Sequence, residues 1–370
     1  MTLRIPTRAT TVSMALAGIL SLAACGASNE GGNTASSTSG SAAQLNGTLN
    51  GAGSSAQQAA MQGWTAGFSG IQSGVTVNYD PVGSGGGREQ FLSSGVDFAG
   101  SDSPLDDDEL KKAKDRCGDA GVFELPNYIS AIAVVYNLKG VDKLNLKPAT
   151  IASIFAGKIT TWNDPAIAAD NPDATLPSTK ISPVHRSDDS GTTKNFTDYL
   201  SKAAGDVWTH AADSVWPLPG GEAGNGTSGV ISSVKGGEGT IGYADESQAG
   251  GLGIAKIGVG SDFVAPSAAA AAKVVESSKV KSGRGTYDFA YDINRKTTST
   301  DEYPIVLVSY HIGCVQYDKK ETADLVKAFE GYVVSDKGQQ AAADAAGSAP
   351  ISDTLRKQAM TAVDAITAAG

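Results

Sequence analysis

Residues 47–100 read GTLNGAGSSAQQAAMQGWTAGFSGIQSGVTVNYDPVGSGGGREQFLSSGVDFAG. Short runs of β-type composition alternate there with helical segments, in the order 47–51, 56–70, 75–79, 88–94 and 96–100. Such alternation is typical of an α/β fold in which helices connect the strands of a largely parallel sheet. This stretch therefore predicts the fold class.

The rest of the chain continues the same alternation. Further strands are predicted at 131–136, 181–184, 240–244 and 305–310, and further helices at 149–155, 194–203, 266–278, 321–334 and 338–346. A chain of 370 residues is about twice as long as the usual single domain. We therefore expect two α/β lobes.

The composition limits the classes of function. Asp and Glu number 39 against 29 Lys and Arg, for a net charge of -10, whereas a nucleic-acid-binding surface needs an excess of cations. With 41% hydrophobic and 18% charged residues the chain is globular in character. The three His and three Cys are not at ligand spacing. We expect no metal, no cofactor and no nucleic-acid partner, and an anion would have to bind locally.

The N-terminus has the pattern of an export signal. Two arginines precede an apolar run, 10–24, which is too short to cross a bilayer and ends in small residues before Cys25. This pattern is typical of a bacterial lipobox and predicts removal of residues 1–24 and lipidation of Cys25; an ordinary secretory signal is the alternative. Small and polar residues dominate 25–45, a predicted flexible tether. We expect a protein held on the extracytoplasmic face of the cell membrane by its lipid anchor only.

Three loops combine glycine with hydroxyl side chains directly after a predicted strand and before a predicted helix. They are Gly51-Ala-Gly-Ser54-Ser55, Gly83-Ser84-Gly-Gly-Gly87 and Asp189-Ser190-Gly191-Thr192-Thr193. Such a turn presents the free N–H groups of the first helical turn to an anion and adds hydroxyl donors. Ser, Thr and Gly are also ordinary capping and loop residues. One loop alone has a structural explanation, but the three together predict an anion site.

Two charged features make this prediction more specific. Arg186 and Asp188 lie two residues apart, on one face of an extended segment, so that Asp188 would orient the guanidinium for bidentate contact with a tetrahedral oxyanion; a surface ion pair is the alternative. Asp102 follows a predicted strand. A carboxylate in an anion site is costly unless the ligand brings a proton, as hydrogen phosphate does and sulfate does not. The alternative is that Asp102 only caps the segment beginning at Pro104.

These motifs resemble those of one family, the phosphate-binding protein of the bacterial high-affinity phosphate ABC importer. Besides the loops, the resemblance covers Asp97-Phe-Ala-Gly-Ser-Asp-Ser-Pro104, Gly157-Lys-Ile-Thr-Thr-Trp-Asn-Asp-Pro165 and Gly239-Thr-Ile-Gly-Tyr243. It implies an α/β, two-lobed type II periplasmic-binding-protein fold with a hinge and a central ligand cleft. It also implies a monomer that binds inorganic phosphate and delivers it to the permease subunits of an ABC importer.

The resemblance further implies a ligand set. The phosphate-binding residues would be Ser54, Ser55, Ser84, Asp102, Arg186, Ser190, Gly191 and Thr192, with Asp188 orienting Arg186. Where the family often has a Thr, two serines stand in the first loop, so the choice between Ser54 and Ser55 stays open. Arg88, directly after the second loop, is expected to be solvated at the rim of the site.

The lobes and a disulfide bond follow from the same reasoning. The first lobe is expected at 46–126 plus 304–370 and the second at 127–303, with hinge crossings near Pro126 and Tyr303-Pro304. Cys117 and Cys314 would both belong to the first lobe. With Cys25 lipidated, they are the two thiols left in an oxidising compartment, which predicts a Cys117–Cys314 disulfide.

Catalysis has little support in the sequence. The glycine-rich loops lack the Gly-Lys-Ser/Thr ending of a P-loop, and no Gly-x-Ser-x-Gly elbow with a supporting His and Asp occurs. We therefore expect no enzyme, and a secreted phosphatase is the weaker alternative. The nearer alternative is a receptor for another tetrahedral oxyanion, such as sulfate or molybdate, against which Asp102 discriminates.

Overall fold

A computed structural model gives the structure of residues 44–370. Its strands, numbered in chain order, are β1 Asn46–Gly53, β2 Gly74–Asp80, β3 Phe98–Ser101, β4 Val122–Asn137, β5 Asn145–Leu146, β6 Ser182–Arg186, β7 Glu222–Gly224, β8 Thr240–Asp245, β9 Gly253–Ile254, β10 Lys256–Val259, β11 Asp262–Val264, β12 Lys279–Val280, β13 Tyr291–Asp292, β14 Val306–Cys314, β15 Gln316–Tyr317 and β16 Thr367–Ala368. Its α-helices are α1 Gln58–Ser69, α2 Ser84–Leu92, α3 Asp107–Cys117, α4 Pro148–Phe155, α5 Pro165–Asp170, α6 Gly191–Ala203, α7 Gly226–Gly236, α8 Ala268–Glu276, α9 Lys320–Val334, α10 Asp336–Ala346 and α11 Asp353–Ala365. Two 3-10 turns lie at Gly118–Ala120 and Glu246–Gln248.

The main sheet has the strand order β2-β1-β3-β14-β4-β8-β6-β7, with β9 paired to β4. Its two ends are parallel, since β1 pairs in parallel with β2 and β3, and β6 with β7 and β8. Its centre is antiparallel, where β14 lies between β3 and β4 and β4 pairs with β8. The prediction of a largely parallel sheet is therefore right at the ends and wrong in the centre, because β14 returns from the C-terminal part of the chain.

The two central strands form the core of the sheet. β4 is buried along all but its last residue, and all of β14 is buried, as expected for strands covered on both faces. The part of β4 up to Ala131 pairs with β14, and the part from Ile132 pairs with β8. One strand therefore runs through both halves of the sheet.

The first predicted hinge crossing lies inside β4. The pairing with β14 shifts register there, since Tyr310 faces Pro126 whereas Ser309 faces Tyr128. Proline has no N–H for the ladder, and a bulge accommodates it within a strand. The chain consequently passes the Pro126 position without a loop.

Residues 284–289, which sequence position assigns to the second lobe, are bonded to the first part of β4. Glu124 N donates to Tyr287 O (3.0 Å), and Phe289 N donates to Glu124 O (3.1 Å). The guanidinium of Arg284 donates to the Glu124 carboxylate (2.7 Å) and to Asp288 (2.7 Å). Side-chain and main-chain contacts thus hold this segment on the strand.

Helices α3, α5, α7 and α11 are absent from the sequence prediction. In α3, the Asp106 side chain accepts from Asp108 N (3.0 Å) and Glu109 N (2.8 Å), while Glu109 accepts from Asp106 N (2.9 Å). This is a capping box. Only Ala113 and Cys117 of α3 are buried, so the apolar periodicity of this segment is weak. The sequence prediction therefore lacked α3, although the capping signal is present.

The folded part begins at the end of the predicted tether. Gln44 Nε2 donates to Ile71 O (3.2 Å), and Leu45 N donates to Gln72 Oε1 (2.8 Å). The tether prediction is therefore wrong for these last two residues. The predicted signal peptide, 1–24, and Cys25 lie outside the described residues. Between residues 44 and 370, no helix combines the length and the apolar character that a membrane span requires.

The predicted pairing of Cys117 with Cys314 is present in the structure. The two residues form a disulfide bond with their Cα atoms 5.2 Å apart, and it joins positions 197 residues apart in the chain. Cys117 ends α3 and Cys314 ends β14. The bond therefore fastens α3 to the centre of the sheet.

Removal of this bond is expected to lower stability. For the Cys117→Ala/Cys314→Ala variant we expect a free energy of unfolding lower by about 3–5 kcal/mol, because closure of a long loop restricts the unfolded chain. Urea unfolding of both proteins measures the difference. Mass spectrometry after alkylation without reductant checks that neither thiol is free in the wild type, and a variant as stable as the wild type would contradict the prediction.

Candidate functional site

The three loops predicted to bind an anion lie against one another. Gly83 N donates to Gly53 O (2.8 Å), which joins the first two loops, and Gly85 N donates to Asp189 O of the third (3.1 Å). A Cβ at Gly85 would overlap the carboxyl group of Asp189. Glycine therefore lets these loops pack backbone against backbone.

Helix N-termini surround this point. Helices α2 and α6 begin at Ser84 and Gly191, inside the second and third predicted loops, so the last residues of each loop form the first turn of a helix. A further helix, α7, joins them, because Thr227 N donates to Ser55 Oγ (3.0 Å) and the two hydroxyl oxygens lie 3.1 Å apart. The N-terminal ends of helices carry free N–H groups and partial positive charge. Their convergence forms an environment for an anion.

Sequence reasoning missed the α7 contribution. The segment Gly224-Asn-Gly-Thr-Ser-Gly229 has the same glycine and hydroxyl composition as the three predicted loops. The strand before it, β7, has only three residues, which is too short for a periodic signal. Its composition alone could have identified it.

Asp102 lies among these loops with 3% of its surface exposed. Thr192 Oγ1 donates to Asp102 Oδ2 (2.9 Å), and Asp102 N donates to Ser84 Oγ (3.1 Å). The other carboxylate oxygen, Oδ1, has no hydrogen-bond partner within residues 44–370. A buried acceptor without a donor is unfavourable. This arrangement points to a ligand that itself carries a hydrogen-bond donor.

The electrostatic environment of Asp102 has two opposing parts. Burial raises the pKa of Asp102, while the nearby hydroxyl groups of Ser54 and Thr192 and the charge of Arg186 act to lower it. Ser309, on β14, is fully buried, and its hydroxyl also acts to lower the pKa of Asp102. A serine in an apolar strand carries no sequence signal, so Ser309 was not predicted.

Arg186 ends β6 and contacts Asp188 through two nitrogens. Nε donates to Asp188 Oδ1 (2.7 Å) and Nη2 donates to Asp188 Oδ2. The side chains are 2% and 11% exposed, so the alternative of a surface ion pair is wrong. The bidentate contact leaves the Nη1 edge of the guanidinium directed away from Asp188.

Asp188 is itself held in place. Gly226 N, at the start of α7, donates to Asp188 Oδ1 (3.0 Å). Burial would raise the pKa of Asp188, but the hydrogen bonds and charge of Arg186 together with this amide lower it below its ordinary value. Asp188 therefore stays ionised and orients Arg186.

The start of α6 packs directly on the Asp102 loop. Ser190 caps the helix by accepting from Thr193 N (3.1 Å). A Cβ at Gly191 would lie 2.6 Å from Ser84 Oγ and 2.8 Å from Asp102 Cβ, so only glycine allows this approach. Asn195, which sequence reasoning missed, donates to Asp102 O (2.6 Å).

The two serines of the first loop have different surroundings. Ser54 is near Asp102, and its Oγ accepts from Ala56 N (3.1 Å). Ser55 faces α7 through Thr227. Both serines are buried. Their surroundings therefore do not select one of them over the other as the phosphate ligand.

The expectation for Arg88 is wrong. Arg88 is not at a solvated rim but 4% exposed. Its Nε donates to Glu109 Oε1 (2.8 Å), and its Nη1 donates to the hydroxyls of Ser101 and Ser103 (3.1 Å each). Glu109 belongs to α3, which the sequence prediction lacked, and so no partner for the charge was apparent. Arg88 fastens α2 to α3 and to the segment on either side of Asp102.

Truncation of Arg88 is therefore expected to act on stability. In Arg88→Ala we expect a free energy of unfolding lower by about 2–4 kcal/mol, because the hydrogen bonds of a buried charge are lost and Glu109 loses its partner. Urea unfolding measures this change. As a matched control, Arg356→Ala removes a more exposed guanidinium, for which a loss within about 1 kcal/mol is expected; equal losses would contradict the assignment.

Within the part of the chain that the structure describes, no group of three His, Cys, Asp or Glu side chains lies close enough together to hold a metal ion.

Comparison with known proteins identifies the family. Residues 33–337 match a family model described as a PBP superfamily domain. The Mycobacterium tuberculosis protein named phosphate-binding protein PstS 3 is 39% identical over 299 residues, which are 79% of this chain and 80% of that protein. The chain belongs to this phosphate-binding protein family. A second member from the same organism, PstS 2, is 37% identical over 302 residues, 80% of each chain.

Solved structures of phosphate-binding proteins have the same fold. PfluDING, described as a high affinity periplasmic phosphate-binding protein bound with phosphate, aligns with a TM-score of 0.70 at 22% identity, over 85% of this chain and 93% of that one. The phosphate-binding protein from Stenotrophomonas maltophilia aligns at 0.64 and 19% identity, over 85% and 93%. These alignments confirm the predicted type II periplasmic-binding-protein fold, and the family match confirms the resemblance seen in the sequence.

Proposed function

We propose that this member of the phosphate-binding family binds inorganic phosphate in an interlobe cleft and delivers it to the permease subunits of a phosphate ABC importer. The unpaired Oδ1 of buried Asp102, among the N-termini of α2, α6 and α7, carries the proposal. Hydrogen-bond donors on several sides suit any tetrahedral oxyanion. The single acceptor suits one that brings a proton, as hydrogen phosphate does.

Each proposed ligand has a separate task. The set is Ser54, Ser55, Ser84, Asp102, Arg186, Ser190, Gly191 and Thr192. Hydroxyl and backbone N–H groups donate to phosphate oxygens, and Arg186, oriented by Asp188, adds charge-assisted bonds. Asp102 accepts a hydrogen bond from the proton that the ligand carries. Burial raises the pKa of Asp102, which favours sharing of that proton.

We place the first lobe at 46–126 plus 304–370 and the second at 127–303, with residues 284–289 packed on the first. Contacts such as Thr192 with Asp102 and Thr227 with Ser55 would then be contacts across the cleft. Gln248 Nε2 adds two more, to Ser55 O and Ala56 O (3.0 Å each). Ligand-dependent closure would form these bonds together.

We place the protein on the extracytoplasmic side of the membrane, as a monomer held by a lipid on Cys25 and a short tether. The disulfide bond supports an oxidising compartment. The lipobox pattern at residues 22–25 supports the anchor. Metabolic labelling with a radioactive fatty acid tests the anchor, because Cys25→Ser would lose the label.

Equilibrium dialysis with radiolabelled phosphate tests the function. We expect saturable binding at one site, competed by arsenate but not by sulfate or molybdate. A parallel assay of phosphate-ester hydrolysis is expected to show no turnover. Binding of sulfate or molybdate in preference to phosphate would overturn the assignment of the ligand, and hydrolysis abolished by Arg186→Ala would replace transport with catalysis.

A further inference from the structure

The side chain of Asn195 joins two parts of the candidate site. Its Nδ2 donates to Asp102 O (2.6 Å) and to Gly191 O (3.0 Å), so one NH₂ group bridges two of the proposed phosphate ligands. Asn195 lies one turn after the start of α6, and helical side chains lean toward the N-terminus of their helix. The distance between Asp102 and the N–H donors of α6 therefore depends on this amide.

The orientation of the Asn195 amide is determined by Arg295. Arg295 Nη2 donates to Asn195 Oδ1. A guanidinium only donates hydrogen bonds, whereas the main-chain oxygens of Asp102 and Gly191 only accept them. Rotation of the amide by half a turn would set its oxygen against both carbonyl groups and its NH₂ group against the guanidinium. Arg295 therefore selects the orientation in which Nδ2 faces Asp102.

Arg295 is itself held by main-chain and side-chain groups. Its side chain is 1% exposed. Nη1 donates to Pro304 O (3.0 Å) and Val306 O (2.7 Å), and Nε donates to Asp198 Oδ2 (3.0 Å). Val306 begins β14, and Asp198 lies on α6. One guanidinium thus connects α6 with the segment that enters the centre of the main sheet.

Arg295 and Asn195 connect the proposed hinge with the candidate site. In the proposed division into lobes, the bonds from Arg295 to Pro304 and Val306 lie at the second hinge crossing, and the bond from Asn195 to Asp102 crosses the cleft. Asn is unfavourable inside a helix, and burial of a guanidinium is costly unless its hydrogen bonds are made. Residues that break such local rules are expected at functional positions.

We propose that Arg295 is a positioning residue for phosphate binding, which acts through the Asn195 amide and holds the main chain at Asp102 against the start of α6. The inference rests on the proposed function. Without this link, the acceptor Asp102 and the donors of α6 would have to be ordered when the ligand binds, and this ordering would reduce the affinity. A displaced Asp102 would also repel an unprotonated oxygen less strongly.

A double-mutant cycle on phosphate affinity tests the proposal. The variants are Arg295→Lys, Asn195→Ala and their combination. Lysine keeps the charge beside Asp198 but lacks the planar fork that reaches the amide and both carbonyl groups together. Isothermal titration calorimetry is expected to give a Kd about 5–10-fold higher in each single variant. The Kd of the double variant is expected within about twofold of the weaker single variant, because both changes break the same link.

The preference for phosphate over sulfate separates positioning from a general loss of structure. In Arg295→Lys and in Asn195→Ala we expect this preference, measured by competition at fixed ionic strength, to decrease by about threefold or more, because a displaced Asp102 opposes sulfate less. The control Arg116→Lys changes a half-buried guanidinium of α3 that donates to Val96 O (2.7 Å). Both affinities of the control are expected within about twofold of the wild type.

The outcomes separate this inference from the proposed function. Wild-type phosphate affinity in Arg295→Lys, fully additive losses in the cycle, or equal losses for phosphate and sulfate would overturn the positioning role. Asn195→Ala leaves the contact of Arg295 with Asp198 in place, and urea unfolding checks that it is folded; wild-type affinity in this variant would overturn the inference whether or not Arg295→Lys folds. Absence of phosphate binding by the wild type would instead overturn the proposed function and with it this inference.

Discussion

Arg186→Ala is expected to weaken phosphate binding by at least about a hundredfold. The guanidinium of Arg186 is buried, and Asp188 holds it with the Nη1 edge directed away from the Asp188 carboxylate. Hydrogen bonds from this edge to an anion would be charge-assisted and shielded from water. Loss of about 3 kcal/mol corresponds to roughly a 150-fold change in Kd. Isothermal titration calorimetry at neutral pH measures the change.

Two further variants make this result specific. Arg186→Lys keeps the charge but not the planar fork, and an intermediate affinity is expected. Arg88→Ala removes an equally buried guanidinium that the structure bonds to Glu109, Ser101 and Ser103. Its main effect is expected on unfolding rather than on Kd. If Arg88→Ala lost more affinity than Arg186→Ala, the assignment of the site would be wrong.

Asp102→Asn is expected to narrow the preference for phosphate over sulfate by about ten- to a hundredfold. Donors alone do not distinguish two tetrahedral anions of similar size. The ionised carboxylate of Asp102 repels an oxygen that carries no proton, and the low polarity of the site strengthens this repulsion. An amide can rotate its NH₂ group toward sulfate. Binding of both anions to both proteins, at fixed ionic strength, measures the ratio, and an unchanged ratio would mean that selectivity arises elsewhere.

The pH dependence of sulfate binding provides an independent test of Asp102. In the wild type, sulfate would bind only when Asp102 is protonated, and burial has already raised the pKa of this group. Lowering the pH toward that pKa reduces the cost of protonation, so sulfate affinity is expected to rise as pH falls. In Asp102→Asn this rise is expected to disappear. A similar rise in both proteins would assign it to another titrating group.

Features that depend on short segments could be predicted from the sequence. Glycine and hydroxyl residues between a strand and a helix determine locally how N–H groups are presented, and the three predicted loops do lie together. The spacing of Arg186 and Asp188 likewise predicted their contact, because two residues in an extended segment share a face. The Cys117–Cys314 bond followed from the small number of thiols.

Features that depend on pairing between distant segments of the chain could not be predicted from the sequence. The position of β14 between β3 and β4 results from contacts between segments far apart in the chain, and it brings Ser309 near Asp102. Arg88 was misplaced for a similar reason, since its partner Glu109 lies on a helix with little apolar periodicity. Asn195 is a third example, because it reaches Asp102 only through the packing of α6 on the distant Asp102 loop.

The place of β14 also determines when the protein can fold. A growing or exported chain appears from its N-terminus, so β1 to β4 are made long before residues 306–314. Until then, β14 is not available to pair with β3 and β4. Pairings between such distant segments form slowly. The sheet can therefore be completed only when residues 306–314 are available, so that its two halves are joined last in a chain that emerges from its N-terminus.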